Sequence, residues 1–322
     1  MTTWGLLSTA NINRKLIPGA QDSPRVDLIA VASRNQQRAE DYAREWGIER
    51  AYGSYEALLD DPDVEAVYIP LPNTMHTEWS IRALEAGKHV LCEKPLSRHP
   101  DDVVDAFDAA DRTVRLLSEA FMYRHNPQTM RLRELIDDGT IGEVRLIRAT
   151  FSYPLYDPDN IRLRTDLEGG ALMDVGCYCV SGARLAAGGE PVAVFGQARF
   201  GETGTDWVFT GSMRFDGDVL ATFDCGTALP ERDELEVIGS DGSLFLDDPW
   251  HCNVPAIEVR RGRNVERIEL ERADSYRLEL ENVSDAIDGK GELLLGRNDA
   301  IGQARALEAL SRSAERGEVV RL

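Results

Sequence analysis

Short apolar runs alternate with amphipathic stretches over the first third of the chain. The apolar runs have the length of single strands and are Trp4 to Thr9, Val26 to Ser33, Ala66 to Pro70, Val90 to Cys92 and Val114 to Leu117. Three stretches between them have helical spacing, namely 36–46, 74–86 and 100–110. Gly47 and Gly87 follow two of these as stop signals. This alternation predicts parallel strands, right-handed crossovers and helices on both faces of one sheet.

Strand-like segments dominate the remainder, with few helices between them. They are residues 141–153, 192–200, 207–215, 219–225, 234–239 and 243–246. Asp216-Gly217 and Ser240-Asp-Gly242 are hairpin turn signals, so this sheet is expected to be largely antiparallel. The predicted fold is an α/β domain, residues 1–122, followed by an α+β domain with a large open sheet, residues 123–322. The C-terminal helix, about 297–316, is a candidate to pack back on the first domain.

Composition narrows the class of protein. The chain has 322 residues, 43% hydrophobic and 29% charged, which is ordinary for a soluble protein of two domains. Its net charge of −20 argues against nucleic acid or an anionic membrane as partner. The start lacks a signal-peptide pattern, and no apolar stretch could span a bilayer. Five scattered cysteines without C-x-x-C spacing indicate reduced thiols, a cytoplasmic location and no metal site.

The turn after the first strand is a candidate phosphate site. A dinucleotide fingerprint has the form G-x-G-x-x-G/A, and this chain has Ser8, Ala10 and Asn13 in those places. Serine and alanine are small enough for a pyrophosphate to approach the backbone. The turn by itself is also compatible with an ordinary strand-to-helix connection.

The second strand ends in Ser33-Arg34-Asn35, and its residue types favour one cofactor. NAD sites usually place an acidic residue here for the ribose 2′-hydroxyl, whereas an arginine accommodates a 2′-phosphate. Arg34, with Ser33 and Arg38, therefore favours NADP(H), while NAD(H) stays possible. The alternative is that Arg34 is a solvated loop residue.

Two further strand ends carry polar side chains. Asn73 is a candidate contact of the nicotinamide ribose, and His76 is a candidate supporting residue unless it is purely structural. Lys94, in Glu93-Lys94-Pro95, follows a buried strand-like run. A lysine brought by a buried strand to the rim of a sheet suits chemistry better than packing, because its ammonium then faces the ligand cleft.

Taken together, the motifs resemble those of the Gfo/Idh/MocA family, named after glucose–fructose oxidoreductase and inositol dehydrogenase. The matching segments are Trp4 to Ile12, Ile69 to His76, Glu93-Lys-Pro95 and Gly169 to Tyr178. The resemblance implies a Rossmann domain before an open antiparallel sheet, and dimers or tetramers formed through that sheet. Many members have D-x-G-x-H where this chain has Asp174-Val-Gly-Cys-Tyr178. With a tyrosine in place of this histidine, the motif is similar to that of the subgroup that contains glucose–fructose oxidoreductase, dihydrodiol dehydrogenase and NADP-dependent xylose dehydrogenase.

The resemblance also implies roles for individual residues. Lys94, Asp174 and Tyr178 would be catalytic. The ammonium would lower the phenol's pKa from its usual value of about 10, and either Lys94 or Tyr178 would transfer the proton. Asp174 would hold Lys94 or a substrate hydroxyl. The cofactor would contact Ser8, Thr9, Ala10, Asn11, Ile12, Ser33, Arg34, Arg38, Leu71, Asn73, His76, Glu93, Lys94 and Pro95. Candidate substrate residues are Tyr153, Arg162, Asp174, Tyr178 and Tyr276.

Each second-domain candidate has a structural alternative. Tyr178 could be a half-buried aromatic residue, Asp174 a cap, and Arg162 a surface ion pair. The sequence thus predicts an NADP(H)-dependent oxidoreductase acting on a sugar or cyclic polyol, with aldose 1-dehydrogenation as the leading reaction. Alternatives within the enzymes are trans-dihydrodiol oxidation and reduction of a ketosugar or dicarbonyl compound. The alternative of another class is an NADP-sensing regulatory protein without catalysis.

Overall fold

A computed structural model describes all residues, 1–322, and the chain divides into two compact units. The first contains Met1–His125 and Asp274–Ile301, and the second contains Asn126–Ala273 and Gly302–Leu322. The sequence-based division assigned everything after residue 122 to the second domain. The structure corrects this, because one later segment, Asp274–Ile301, packs with the first unit. Only the first residues of the C-terminal helix fall in that unit.

Nine α-helices and fifteen strands make up the chain. The helices are α1 (Asn13–Gln21), α2 (Gln36–Trp46), α3 (Tyr55–Leu59), α4 (His76–Glu85), α5 (Pro100–Thr113), α6 (Pro127–Asp137), α7 (Cys177–Ala187), α8 (Ser275–Ile287) and α9 (Arg297–Arg316). The strands are β1 (Thr2–Leu6), β2 (Val26–Ala32), β3 (Arg50–Tyr52), β4 (Ala66–Ile69), β5 (His89–Glu93), β6 (Leu117–Ala120), β7 (Val144–Pro154), β8 (Pro191–Phe200), β9 (Asp206–Phe215), β10 (Leu220–Gly226), β11 (Ala228–Gly239), β12 (Ser243–Asp247), β13 (Ala256–Arg261), β14 (Asn264–Glu269) and β15 (Val320–Arg321). None of these helices is long and apolar enough to cross a bilayer.

The first unit has a six-stranded parallel sheet in the order β3-β2-β1-β4-β5-β6. Strands β4 and β5 consist largely of fully buried aliphatic residues, as expected when helices cover both faces. Gly47 ends α2 in the left-handed conformation at φ 68°, which confirms it as a stop signal. The observed topology confirms the predicted α/β Rossmann class.

Two predicted strands are misplaced in the first unit. Strand β1 ends at Leu6, earlier than expected, so Ser8 and Thr9 lie in the turn that follows. The run from Val114 was wrong as a strand start. Val114 ends α5 with φ 53° and is 80% exposed, and the strand begins only at Leu117. Because Val114 is apolar and β-branched, the sequence pattern predicts a strand at this position, although the residue caps a helix.

The second unit has a nine-stranded sheet in the order β14-β13-β12-β11-β7-β10-β9-β8-β15. Every neighbouring pair is antiparallel except β7 with β10. This confirms the predicted mostly antiparallel open sheet. Helix α7 packs on its central strands β7, β10 and β11, so the segment before α7 reaches the middle of the sheet.

Helix α8 belongs to the core of the first unit. Leu280 and Val283 pack in the same cluster as Leu6 and Leu91 from the sheet. The Trp4 indole also donates a hydrogen bond to Ser284 Oγ at 3.2 Å. The helix therefore adds side chains to the same unit that carries the Lys94 turn.

Candidate active site

The carboxyl ends of the parallel strands carry all four segments predicted to meet the cofactor. These segments follow β1, β2, β4 and β5 and are Ser8–Ile12, Ser33–Arg38, Leu71–His76 and Glu93–Pro95. Strands β1 and β4 are neighbours, with β2 and β5 on their outer sides, so the strand order reverses between them. Ligands of open parallel sheets bind at such a reversal.

The turn after β1 leaves the start of α1 open. Ser8 Oγ donates to the Pro70 carbonyl and accepts the Ala10 N–H, both at 3.2 Å, and the Asn13 amide donates to the Ser8 carbonyl at 2.8 Å. Ile12 precedes α1 without a side-chain cap. Partly or fully exposed turn positions are Ser8, Thr9, Ala10, Asn11 and Ile12. Serine thus organises the turn where the fingerprint has glycine, and the helix end can receive an anion.

The end of β2 presents two arginines without a carboxylate partner. Arg34 and Arg38 are both exposed, and both lie near Tyr55, where their charge opposes the rise in pKa that burial causes. The Asn35 side chain caps α2 by accepting the Arg38 N–H at 2.9 Å, which fixes the arginine spacing. Ser33 is buried beside them. Two unpaired cations in so acidic a protein suit a doubly charged phosphate.

His76 links the turn after β4 to the lysine turn. It is 1% exposed, and its Nε2 and Nδ1 each lie 2.8 Å from a main-chain carbonyl, of Leu71 and Pro95 respectively. Both ring nitrogens are therefore engaged by the backbone. Leu71 is buried, whereas Asn73 is partly exposed in the short helix before α4. His76 thus holds two turns together, and Asn73 is one of the accessible residues between them.

The Glu93–Leu96 turn is fixed from three directions. The Tyr68 hydroxyl donates to Glu93 Oε1, while Glu93 Oε2 accepts the Lys94 N–H at 3.3 Å. Beyond the cis Lys94–Pro95 bond, the Leu96 N–H donates to the buried carboxylate of Glu119 at 2.8 Å. Lys94 itself is partly exposed. A partly exposed lysine on so constrained a backbone is preorganised for chemistry at the sheet edge.

Helix α8 brings two side chains toward this turn. Tyr276 and Glu279 lie one helical turn apart, and burial and the negative charge of Glu93 both raise the pKa of each side chain. Burial raises the pKa of Tyr276, and Glu93 and Glu279 raise it further. Tyr276 was predicted as a substrate residue of the second domain, but the structure places it in the first unit. Tyr68 and Glu279 were missed, and the sequence did not predict a helix where α8 lies.

In the second unit, Asp174 is the centre of a polar cluster. Its Oδ2 accepts the Tyr153 hydroxyl at 2.5 Å, and its Oδ1 accepts Arg162 Nε at 2.8 Å. The Asp174 side chain is 12% exposed and that of Arg162 is 43% exposed. Burial raises the pKa of Tyr153, with a further rise from Asp174, so this phenol remains protonated as a donor. Three predicted substrate residues are thereby brought together.

Two glycines allow the Arg162 segment to approach Asp174. A Cβ on Gly169 would lie 2.3 Å from the Arg162 carbonyl oxygen. Gly170 has φ 120°, and a Cβ there would lie 1.9 Å from Asp206 Oδ1. Asp206 in turn accepts the Leu172 N–H at 2.7 Å, at the start of the helical segment that carries Asp174. The glycine pair is therefore required by close packing.

Tyr178 lies at the start of α7, in continuous helical backbone after a π-helical turn at Leu172–Gly176. Its ring is 8% exposed and packs edge-on against Phe151, with centroids 5.4 Å apart, and against Trp250 at 6.1 Å. Trp250 is fully buried, with its indole donating to the Thr150 carbonyl. The aromatic walls hold the Tyr178 ring in one orientation.

A separate acid–histidine cluster was not foreseen. Asp233, Asp248 and His251 converge, with His251 Nδ1 lying 2.8 Å from Asp233 Oδ2 and 3.3 Å from Asp248 Oδ1. Hydrogen bonds to Asp233 and then Asp248 raise the pKa of His251 to about 9. The protonated imidazole therefore supplies the positive charge of this cluster, and we assign no metal to it.

The comparisons with known proteins agree with this architecture. The model of the "Oxidoreductase family, NAD-binding Rossmann fold" matches residues 4–121, and the GFO/IDH/MocA C-terminal domain model matches residues 129–245. The chain belongs to the Gfo/Idh/MocA family. It is accordingly an NAD(P)-dependent oxidoreductase of sugar hydroxyl or keto groups. The resemblance seen in the sequence is confirmed.

Named relatives match three quarters of the chain or more. D-xylose 1-dehydrogenase (NADP(+)) 2 of Haloferax volcanii is 36% identical, with 99% of both proteins covered. Trans-1,2-dihydrobenzene-1,2-diol dehydrogenase of Xenopus laevis is 36% identical over 76% of this chain and 75% of its own. KijD10, a 3-ketoreductase from Actinomadura kijaniata in complex with NADP and TDP-benzene, has a TM-score of 0.91 at 30% identity, with 97% of both chains covered. Aldose–aldose oxidoreductase from Caulobacter crescentus, complexed with glycerol, has a TM-score of 0.93 at 26% identity, covering 100% and 99%.

Proposed function

We propose that the protein is an NADP(H)-dependent dehydrogenase that oxidises the anomeric hydroxyl of a pyranose-like sugar. The observation that carries the cofactor choice is the pair Arg34 and Arg38, exposed at the end of β2 without carboxylate partners. No acidic residue follows this strand to bind a ribose 2′-hydroxyl. The similarity to a relative named for NADP⁺ and D-xylose supports the same choice.

The cofactor would be held by the sheet edge of the first unit. The open start of α1 and the Ser8 turn would take the pyrophosphate, Arg34 and Arg38 the 2′-phosphate, and Asn73 the nicotinamide ribose. Bound there, the nicotinamide supplies the hydride acceptor or donor. His76 would act on the cofactor only through the two turns that it holds.

The protein side chains would move the proton. We assign proton transfer to Tyr178 and Lys94, because a phenol and an ammonium can each exchange a proton with the substrate oxygen. Asp174 would accept a substrate hydroxyl, because Tyr153 and Arg162 fix its carboxylate while leaving it partly exposed. Carboxylates positioned in this way discriminate strongly between substrates with and without the matching hydroxyl.

A cavity in the second unit supports a cyclic substrate. It encloses about 250 Å³, and its lining includes Leu155, Tyr156, Leu163 and Trp207. Leu155 follows the end of β7, which carries Tyr153, and Leu163 follows Arg162. Both leucines therefore adjoin the side chains that bond to Asp174. Tyr156 is 87% exposed and offers an aromatic face. Apolar rings beside fixed polar groups are typical of sites that bind sugars.

The test is reduction of NADP⁺ and NAD⁺ followed at 340 nm with a panel of aldopyranoses, inositols and trans-diols. We expect the highest kcat/KM with NADP⁺ and an aldose. Turnover only with a dihydrodiol would favour the dehydrogenase named among the relatives. Oxidation of NADPH with a ketosugar alone would favour a reductase, as the likeness to KijD10 suggests. Binding of NADP without turnover of any substrate would support a regulatory sensor.

We also propose that the protein forms a homodimer or homotetramer through the open sheet of the second unit. An open antiparallel face can pair with a second copy without altering either site. Sedimentation equilibrium tests this, and a monomer at micromolar concentration would contradict it.

A further inference from the structure

Glu279 is a fully buried glutamate without a hydrogen-bond partner. Its exposure is 0%, and neither Oε1 nor Oε2 contacts a donor. It lies on the face of α8 that carries Leu280 and Val283 into the core of the first unit. A carboxylate ion in such a position would be desolvated and unpaired, so the group must carry a proton.

The surroundings of Glu279 oppose its ionisation. The charges that act on it are those of Glu93, at the end of β5, and Asp274, at the start of α8, and both are negative. Two buried phenols, Tyr68 and Tyr276, interact with both Glu93 and Glu279. No positive charge acts on Glu279 to offset those of Glu93 and Asp274.

Helix α8 also packs against α1, β2 and the segment Met122–His125. Charged or titratable side chains on those elements are Arg14, Lys15, Asp27, Tyr123, Arg124 and His125, and the neighbouring strand β5 adds His89 and Cys92. Burial keeps His125 neutral by lowering its pKa to about 3. Arg124 pairs with Asp299 at 3.4 Å and Arg14 with Glu45 at 2.9 Å. None of these side chains bonds to Glu279.

We propose that Glu279 is a positioning residue for the lysine turn: a buried protonated acid that confines the negative charge to Glu93. Both oxygens of Glu93 accept hydrogen bonds, one from Tyr68 and one from the Lys94 N–H, as an ionised carboxylate does. A second charge at Glu279 would drive a proton onto Glu93 and weaken both bonds. This role rests on the proposed function, because that function makes Lys94 catalytic.

The test compares wild type with Glu279→Gln, which has the shape of the neutral acid and cannot ionise. The folded-state pKa of Glu279 lies above its unfolded value, so wild-type stability falls as pH rises from the ordinary glutamate range toward that higher pKa. Glu279→Gln should show no such loss of stability, because its amide does not ionise. We expect its Tm advantage over wild type to grow between pH 5 and pH 9. We also expect the alkaline decline of its kcat to move upward by about one pH unit.

Asp285→Asn is the matched control. Asp285 lies on the same helix, but it is partly exposed and pairs with Arg25 at 2.6 Å. Asp285→Asn should show the same pH dependence of Tm and of kcat as wild type. This separates protonation of Glu279 from the general effect of removing an acid from α8.

Two results would overturn the positioning role. Superimposable kcat profiles for wild type and Glu279→Gln would do so even if the Tm difference grows as expected, because Glu279 would then be only a structural acid. Equal Tm values at every pH would show that Glu279 is not the protonated group. If wild type reduces no NADP⁺ with any substrate, the proposed function fails and the role fails with it, while unfolding still reports the protonation of Glu279.

Discussion

Tyr153 donates its hydroxyl to Asp174 Oδ2 at 2.5 Å, which joins the end of β7 to the helical segment before α7. The opposite oxygen of Asp174 accepts Arg162 Nε. The plane of this carboxylate is therefore fixed before any substrate arrives. Such preorganisation is what a hydroxyl-binding site requires.

Removing the charge of Asp174 should lower kcat/KM more than removing the Tyr153 hydroxyl that supports it. Asp174→Asn should lower kcat/KM by about 100-fold, because a charged hydrogen bond to substrate is lost and Arg162 loses its carboxylate partner. Tyr153→Phe should lower it by only about tenfold or less, since Arg162 still holds the carboxylate. Steady-state kinetics with circular dichroism as a folding control measures both. The idea fails if folded Asp174→Asn retains the kcat/KM of wild type.

The arginines after β2 should decide between the two nicotinamide cofactors. Arg34→Ala should raise the KM for NADP⁺ by about tenfold or more, while the KM for NAD⁺ stays nearly constant, because only NADP⁺ carries the 2′-phosphate. Arg44→Ala is the control, because Arg44 is exposed on helix α2, which follows Arg34 in the chain, and pairs with Asp41. An equal effect of Arg34→Ala on both cofactors would remove these arginines from the phosphate site.

The cluster of Asp233, Asp248 and His251 should make stability depend on pH. His251 has its pKa raised to about 9, above the unfolded value of 6.5. Its contribution is therefore fully present below about pH 6.5 and is lost as pH rises through 9. Since the side chain is about half exposed, we expect about 1 kcal/mol at neutral pH.

Chemical denaturation of His251→Gln at several pH values tests this contribution. The variant should be less stable than wild type at pH 6 and nearly equal to it above pH 9. His99→Gln is a suitable comparison, because His99 lies outside the cluster and is exposed. A loss of stability that is the same at pH 6 and pH 10 would show that the imidazolium charge is not responsible.

The strand ends of the parallel sheet could be predicted because each follows a short buried run. Once β2 was located, Ser33, Arg34 and Arg38 were assigned from local order alone, and the structure places them at the same sheet edge as Lys94. The resemblance to the family brought in Asp174 and Tyr178, which spacing alone could not connect to the first domain. Local pattern and family motif were thus complementary.

Contacts between distant parts of the chain could not be predicted. Tyr68 meets Glu93 across neighbouring strands, and Glu279 comes from a helix near the C-terminus. Helix α8 was not predicted from the sequence, and its residues were assigned to the second domain with everything after residue 122. Val114 was misjudged for a different reason, since a left-handed cap made of valine resembles the start of a strand.

We propose that Lys94 and Tyr178 carry out proton transfer in NADP⁺-dependent sugar oxidation. The most direct measurement is kcat for reduction of NADP⁺ at 340 nm, at saturating sugar, for wild type, Lys94→Ala and Tyr178→Phe. We predict that each folded variant loses about 100-fold or more in kcat while its NADP⁺ affinity changes little. Near wild-type kcat in both folded variants would show that neither side chain transfers the proton.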